Sequence, residues 1–356
     1  MAVEFRRVAP LEVRDGVVDL FWRLRSWPWP DKGDCYRYWD WRYTSLSEAM
    51  PIVWVATDGP KIVGHMALYP RRFRIGDIDL TAGVPGNFLV DPEYRRTPIG
   101  PRLAASTRSV VSCGELDAVF GYGNKTAHAM LIRLGFREIG AMELFASVHR
   151  WGPVLNRRVP GAAMFASVAG AADSLRKAMH GAHSPRDVEG VEARLLTPAE
   201  TEDIDRSPWH RNPDALVADH SSRFLADRYL RSPFQPRQLV GLLDRTSKVV
   251  EGYVVIDGDR RVKVVDCQVN EARMSEPEAV AMAVKAIPTA ETVVVPLLPQ
   301  SDLAAAFLAA GFVRRRINDF VEGNTWWSAQ WAPTTPAAKA LEKISQWKLW
   351  FGWNHY

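Results

Sequence analysis

The chain has 356 residues, of which 47 % are hydrophobic types and 24 % charged, a balance that excludes a disordered or fibrous polymer. At roughly 100–200 residues per domain it is long enough for two domains, each with its own core. The formal net charge of +4 is spread over both halves, and no recognition helix or aromatic-studded basic sheet accompanies it, so no nucleic-acid partner is expected.

In chain order, Val17–Arg23 reads as a short helix, followed by a Trp27-Pro28-Trp29-Pro30 loop and a second helical piece at Tyr36–Tyr43. Ile52–Ala56 and Ile62–Leu68 read as a hairpin about the Asp58-Gly59-Pro60 turn. Phe73–Leu80, with a tight turn at Ile75-Gly76-Asp77, and Gly83–Val90 bring the expected antiparallel meander to four strands. The pattern then becomes strand–helix alternation. Pro98–Val111 is helical behind a proline suited to a first turn, Leu116–Gly121 is a buried strand, and Ala127–Leu134 is a helix closed by Gly135. A strand at Ala141–Ser147 is expected to end the unit.

The second half repeats the first. Tyr38, Arg42 and Tyr43 correspond to Phe224, Arg228 and Tyr229, and the first strand pair corresponds to Gln238–Leu243 with Val250–Ile256. Gly64 and Gly252 occupy one place in the second strand of each pair, and Gly135-Phe136-Arg137 matches Gly311-Phe312-Val313. The expected division is a catalytic domain at 1–150, a linker with a helix (Ala162–His180) at 151–186, a degenerate copy at 187–330 and an aromatic-rich tail at 331–356.

Val84–Ser106 carries the chemistry. It is a strand running into a Pro/Asp turn, two arginines, a proline, a glycine and then a helix. Amides at such a helix start bind phosphate oxygens, Arg95 and Arg96 add charge-assisted bonds, and Gly100 leaves room for a bulky group. No Gly-Lys-Ser/Thr follows and the Gly-x-Gly-x-x-Gly spacing is absent, so this is neither a Walker motif nor a dinucleotide fingerprint.

The order of meander, Arg95-Arg96-Thr97-Pro98-Ile99-Gly100, helix, strand, Gly123-Asn124-Lys125-Thr126-Ala127 and Leu134-Gly135-Phe136 resembles the GNAT superfamily of N-acetyltransferases. Its tandem-domain members, in which the C-terminal copy often lacks cofactor binding, are the closer resemblance. The implied fold is α/β (mixed α+β), with two acyl-CoA N-acyltransferase-like domains, each a central mixed sheet flanked by helices. The implied activity is direct transfer of an acyl group, acetyl in the simplest case, from acyl-CoA to a primary amine of a small molecule or sugar. A transferase using acyl-carrier-protein or aminoacyl-tRNA donors, and a non-catalytic CoA-binding scaffold, are the alternatives.

On that resemblance Phe88, Leu89 and Val90 line the pantetheine arm, and one of their N–H groups polarises the thioester carbonyl. Arg95, Arg96, Thr97, Pro98, Ile99 and Gly100 hold the pyrophosphate, and Asn124 and Ala127 meet the pantetheine or phosphate region. Pro98 replaces the family's first glycine and removes one N–H donor. Leu131 stands where the family commonly has an acid tyrosine. His65, Asn87, Leu89, Tyr122 and His128 are the catalytic candidates, with Glu115 a further carboxylate.

The second copy has no arginine-bearing turn where Asp266–Arg273 should supply one, so it is expected to bind no CoA and to wall the acceptor pocket. The tail crowds Trp326, Trp327, Trp331, Trp347, Trp350 and Trp353 together, with a helical span expected at Ala337–Trp350. Core docking, a lid on an apolar acyl chain, a carbohydrate-stacking surface and a peripheral membrane-interface anchor are its four readings. No metal site is expected, because Cys35, Cys113 and Cys267 lie far apart without ligand spacing. The opening MAVEFRRVAP has no apolar h-region and no apolar run reaches 18 residues, so a cytoplasmic setting without a membrane span is expected. The sequence leaves the oligomeric state open.

Overall fold

The computed structural model describes residues 3–45, 49–150, 188–205, 212–218, 220–234, 236–315, 326–336, 338–348 and 350, with Ser45 and Tyr122 described by their backbone alone. The expected linker helix therefore lies outside the described residues. The strands are β1 Glu4–Val8, β2 Ile52–Asp58, β3 Lys61–Ile75, β4 Ile78–Val90, β5 Ala118–Gly123, β6 Arg137–Ala141, β7 Glu143–Val148, β8 Val191–Leu195, β9 Leu216–Ala218, β10 Gln238–Asp244, β11 Val250–Asp257, β12 Arg261–Val269, β13 Thr292–Leu297, β14 Val313–Arg315 and β15 Trp326–Trp331. The α-helices are α1 Arg14–Arg23, α2 Lys32–Asp40, α3 Ile99–Ser112, α4 Lys125–Arg133, α5 Ser222–Leu225, α6 Glu276–Lys285, α7 Asp302–Ala309 and α8 Ala338–Leu341.

The strands form two mixed sheets with matching orders. One runs β1-β2-β3-β4-β5-β15-β6, with β9 pairing β3; the other runs β8-β10-β11-β12-β13-β7-β14. Position by position the two halves correspond, except that the first half sends β7 into the second sheet and the second half sends β9 and β15 into the first. The expected strand at Ala141–Ser147 is thus corrected to two: β6 stays in the first sheet, and β7 crosses to pair with β13 and β14. From the second half, β15 crosses back between β5 and β6. A crossing strand must satisfy its backbone groups on both edges, and β15 does so through neighbours on each side.

The meander is three long strands rather than the four expected. β3 runs unbroken for 15 residues to the Gly76 turn, because Pro70, buried within it, does not end it, and β4 runs on through Pro85. Repeat markers in the sequence coincide with real local structure. The arginine–tyrosine pairs fall in two π-helical turns, Trp41–Ser45 and Ala226–Leu230, with Arg42, Tyr43, Arg228 and Tyr229 all buried. Gly135 and Gly311 end α4 and α7 at φ +85° and +87°. In each, the following Phe136 or Phe312 amide reaches back to the carbonyl of Leu131 or Phe307. A side chain at such a φ is strained, which is why glycine stands at both places.

The tail does not form the long helix expected over Ala337–Trp350. α8 is followed by a single 3-10 turn at Ile344–Gln346. Trp327, Trp331, Trp347 and Trp350 are buried in the core that joins both sheets, so these rings are withheld from any membrane surface. Core docking is therefore the reading that fits the described part of the tail; Trp353 lies outside the described residues. No described helix is long and apolar enough to cross a membrane.

Candidate active site

β4 and β5 run parallel but pair only at Ala82–Ala118 and Gly83–Val119. Beyond that point the strands part. Pro85 has no N–H to offer a ladder, and its ring fills the place where Gly121 would carry a Cβ, at a notional 2.4 Å. The result is a wedge-shaped gap whose walls are the half-buried Pro85–Val90 segment and the end of β5.

Within that segment β4 carries a bulge. His65 faces Leu89 and Ala67 faces Gly86, so Asn87 and Phe88 oppose the single residue Met66, and Asn87 takes φ +52°. The Asp91 amide donates to the Val63 carbonyl, which makes Val63–Asp91 a hydrogen-bonded pair of the ladder. Alternation then turns the Leu89 N–H inward to β3 and aims the Val90 N–H, with that of Phe88 beyond it, at the gap. Of the three amides of this tripeptide, those of Val90 and Phe88 therefore face the gap and that of Leu89 faces β3, while the Leu89 side chain packs beside α1 and α2.

Below the bulge lies a connected polar group. Asn87 Nδ2 donates to the hydroxyls of Tyr43 and Tyr69, each at 2.9 Å. His65 is fully buried, with Nδ1 2.7 Å from the Asn87 carbonyl and Nε2 3.4 Å from the Tyr43 hydroxyl. A carbonyl only accepts, so Nδ1 carries the proton and Nε2 is the acceptor. Burial drives the His65 pKa down to about 4, opposed by its bond to the Asn87 backbone. Burial also pushes Tyr69 up to about 12 and Tyr43 well above the usual phenol range, so both phenols are protonated at neutral pH. The Arg42 guanidinium lies 4.1 Å over the Tyr69 ring.

The anion turn follows β4. Asp91 is nearly fully buried, held by Arg23 at 2.7 Å and Lys61 at 3.2 Å. Burial alone would raise its pKa, but Arg23, the Glu93 amide and Lys61 outweigh it and hold the carboxyl below its usual value. With the turn so anchored, Arg95 and Arg96 are exposed, and Arg95 Nε donates to the Val90 carbonyl at 3.3 Å. α3 starts at Pro98 without a side-chain cap, and Thr97 Oγ1 receives the Ile99 amide only at 3.4 Å. Pro101 withholds another amide, leaving Ile99 and Gly100 as the first-turn donors. A Cβ on Gly100 would meet Phe88 and Val90 at an ordinary 3.7–3.8 Å. The protein's own packing does not demand this glycine; the space above it is what the missing side chain keeps clear.

The other candidates fall into two groups. Asn124 caps α4 by accepting the Ala127 amide at 2.9 Å, beside the end of β5, and Ala127 packs against Gly123. His128 is turned away from the gap: it is buried against Ser328 at 2.8 Å, stacks on Trp326 and reaches Glu138 at 3.4 Å. It fastens the exchanged strand and is not gathered with His65 and Asn87. Glu115 is taken up by Arg7 at 2.7 Å. Tyr122 lies at the end of β5, paired with Trp327, and its side chain is outside the described residues. Leu131 is buried among Leu103, Val119 and Phe136 and supplies no acid. Sequence reasoning used Tyr43 only as a repeat marker and passed over Tyr69; the arginine–tyrosine pair inside the repeat was the signal that could have found Tyr43.

In the second copy the position of the anion turn is closed. Ser275 and Glu278 form a capping box at the start of α6, so a carboxylate already occupies the helix start. Lys348 of the tail pairs with Glu271 at 2.7 Å and with Glu276. Three acidic side chains and Lys348 thus lie where the first half carries Arg95 and Arg96.

Residues 13–131 match the model of the acetyltransferase (GNAT) domain. No curated protein matches the chain. Among solved structures, a conserved protein of unknown function from Enterococcus faecalis V583 superposes with a TM-score of 0.62 at 8 % identity, over 93 % of this chain and 73 % of that one. A GCN5-related N-acetyltransferase from Anabaena variabilis ATCC 29413 gives 0.57 at 10 % identity, over 92 % and 72 %. A tandem GNAT protein from the clavulanic acid biosynthesis pathway gives 0.50 at 14 %, over 93 % and 98 %. At these identities the likeness is one of fold.

Proposed function

We propose that the N-terminal half of this chain, whose residues 13–131 match the acetyltransferase (GNAT) domain model, transfers an acyl group directly from acyl-CoA to a primary amine. The observation that carries this reading is the parting of β4 from β5 beside an uncapped helix start flanked by Arg95, Arg96 and Gly100. The pantetheine arm lies along Phe88–Val90, the pyrophosphate sits on the Ile99 and Gly100 amides with the two arginines, and Asn124 stands at the far wall.

The amine nitrogen attacks the thioester carbonyl carbon, the new C–N bond forms, and the C–S bond breaks. Negative charge on the carbonyl oxygen is met by the gap-facing amide of Val90 or Phe88. CoA departs as a thiolate; with a thiol pKa of roughly 8.5 it needs no positioned acid, in keeping with Leu131. His65, with a pKa of about 4, is a poor proton sink at neutral pH. Its part is to hold the Asn87 carbonyl and thereby the bulge, while the amine's proton passes to solvent. A cytoplasmic setting goes with this reading, as do the buried free thiols of Cys35 and Cys267.

Calorimetric titration with acetyl-CoA and longer acyl-CoAs tests the proposal, followed by a screen of small-molecule and sugar amines. Absence of binding by every acyl-CoA, with a pantetheine-loaded carrier protein as the parallel donor, removes the reading.

A further inference from the structure

The geometry points to an acceptor that carries an oxyanion, a carboxylate or phosphate gripped between the two halves by a buried arginine cluster around Arg42 and Arg237. Arg42, Arg71, Arg228 and Arg237 are each more than nine-tenths buried. They come together because the two π-helical turns meet: Trp41 Nε1 donates to the Asp227 carbonyl at 3.1 Å, and the Arg228 guanidinium lies 5.7 Å from the Trp41 ring centroid. Arg71 of the first half reaches across to the Phe224 ring at 4.8 Å, and Arg237 lies 5.7 Å from Tyr229. The charges of Arg42, Arg237 and Arg71 all press on Arg228, which burial has already pushed well below the usual guanidinium value.

Among the described residues, Nε and Nη1 of both Arg42 and Arg237 lack a hydrogen-bond partner. Asp257 approaches Arg237 Nε only to 3.7 Å. The fully buried Asp266 is engaged by the Tyr229 hydroxyl and His220, each at 3.0 Å. Arg42 and Arg237 thus keep buried guanidinium N–H groups that no described side chain pairs. A lysine so placed could shed its proton, but arginine stays charged, so the cluster calls for a further anion. The free N–H groups of the two guanidiniums can each donate a charge-assisted bond to an oxygen of a carboxylate or phosphate.

The cluster also adjoins the reaction centre. Arg42 covers Tyr69, whose hydroxyl takes the Asn87 amide, and its Nη2 lies 3.8 Å from the place a Cβ on Gly86 would occupy, on the half-buried stretch of β4. An anion held there sets its own amine beside the Asn87 bulge. This assignment of acceptor class rests on the transferase reading, whereas the anion site itself does not.

The test uses the full chain without CoA. It is melted with inorganic phosphate and, separately, acetate, against chloride at fixed ionic strength. The expected result is a saturable Tm rise of several degrees with at least one oxyanion. Arg42→Met and Arg237→Met, which keep the packed stems, should abolish the rise, and Arg96→Ala should keep it. No rise in the unaltered protein overturns the site, whether or not the methionine variants fold. A rise that Arg96→Ala removes and the methionine variants retain places the anion on the α3 turn and overturns it equally. Acceptor class is then read from kcat/KM for an amino acid against its amide, and for an amino-sugar phosphate against the free amino sugar. One of the anionic members should lead by about 10- to 100-fold. Parity in both pairs refutes the acceptor assignment, while loss of acyl-CoA binding would fall on the transferase reading alone.

Discussion

His65→Gln separates the burial of a titrating group from the hydrogen bond it makes. Glutamine keeps an N–H that can reach the Asn87 carbonyl, now 2.7 Å from Nδ1, but cannot titrate. In the folded chain burial holds the His65 pKa at about 4, against the ordinary imidazole value of 6.5. Because the folded value is the lower, the unfolded chain binds the proton first. The neutral imidazole's contribution is complete above pH 6.5 and is lost as pH falls through about 4. At 1.36 kcal/mol per pKa unit this comes to roughly 3 kcal/mol across the window. Urea melts of wild type and variant between pH 7.5 and 4 should therefore converge or cross as the wild type loses that increment. Asp91 and other carboxylates titrate in both proteins and cancel in the difference. Parallel stability curves, or an imidazole resonance from His65 titrating near 6.5, would refute a buried neutral histidine and with it the role given to the Asn87 bulge.

Other outcomes follow from the same structure. Arg96→Ala should weaken acyl-CoA binding about tenfold in calorimetry without moving Tm, since Arg96 is exposed and the lost contact is charge-assisted. Gly100→Ala should leave stability unchanged or raise it by about 0.5–1 kcal/mol, because its Cβ fits the protein. The same change should weaken acyl-CoA; unchanged affinity would mean that no ligand approaches there. Trp327→Ala, in the exchanged strand β15, should cost about 3–5 kcal/mol in denaturant melts. It should unfold both halves in one transition, since each sheet contains a strand of the other; two separated transitions would contradict that coupling.

Much of this was legible in the residues. Proline, glycine and the arginine pair act locally, so Arg95–Gly100, the Gly123–Ala127 cap and the Gly135 and Gly311 helix stops each declared their place. The repeat was visible because both copies need the same turns and the same buried tyrosines. Strand partners are another matter, since a hydrophobic six-residue strand such as Glu143–Val148 or Trp326–Trp331 fits either sheet equally well by pattern. Only the three-dimensional chain decided that each crosses to the other half. Tertiary structure likewise decided that His128 supports β15 while His65 sits under the bulge, that Val90 rather than Leu89 aims its amide at the gap, and that four arginines distant in sequence meet between the halves. Local chemistry fixes turns and caps; which side chain faces which cavity depends on register and packing, and those are properties of the whole fold.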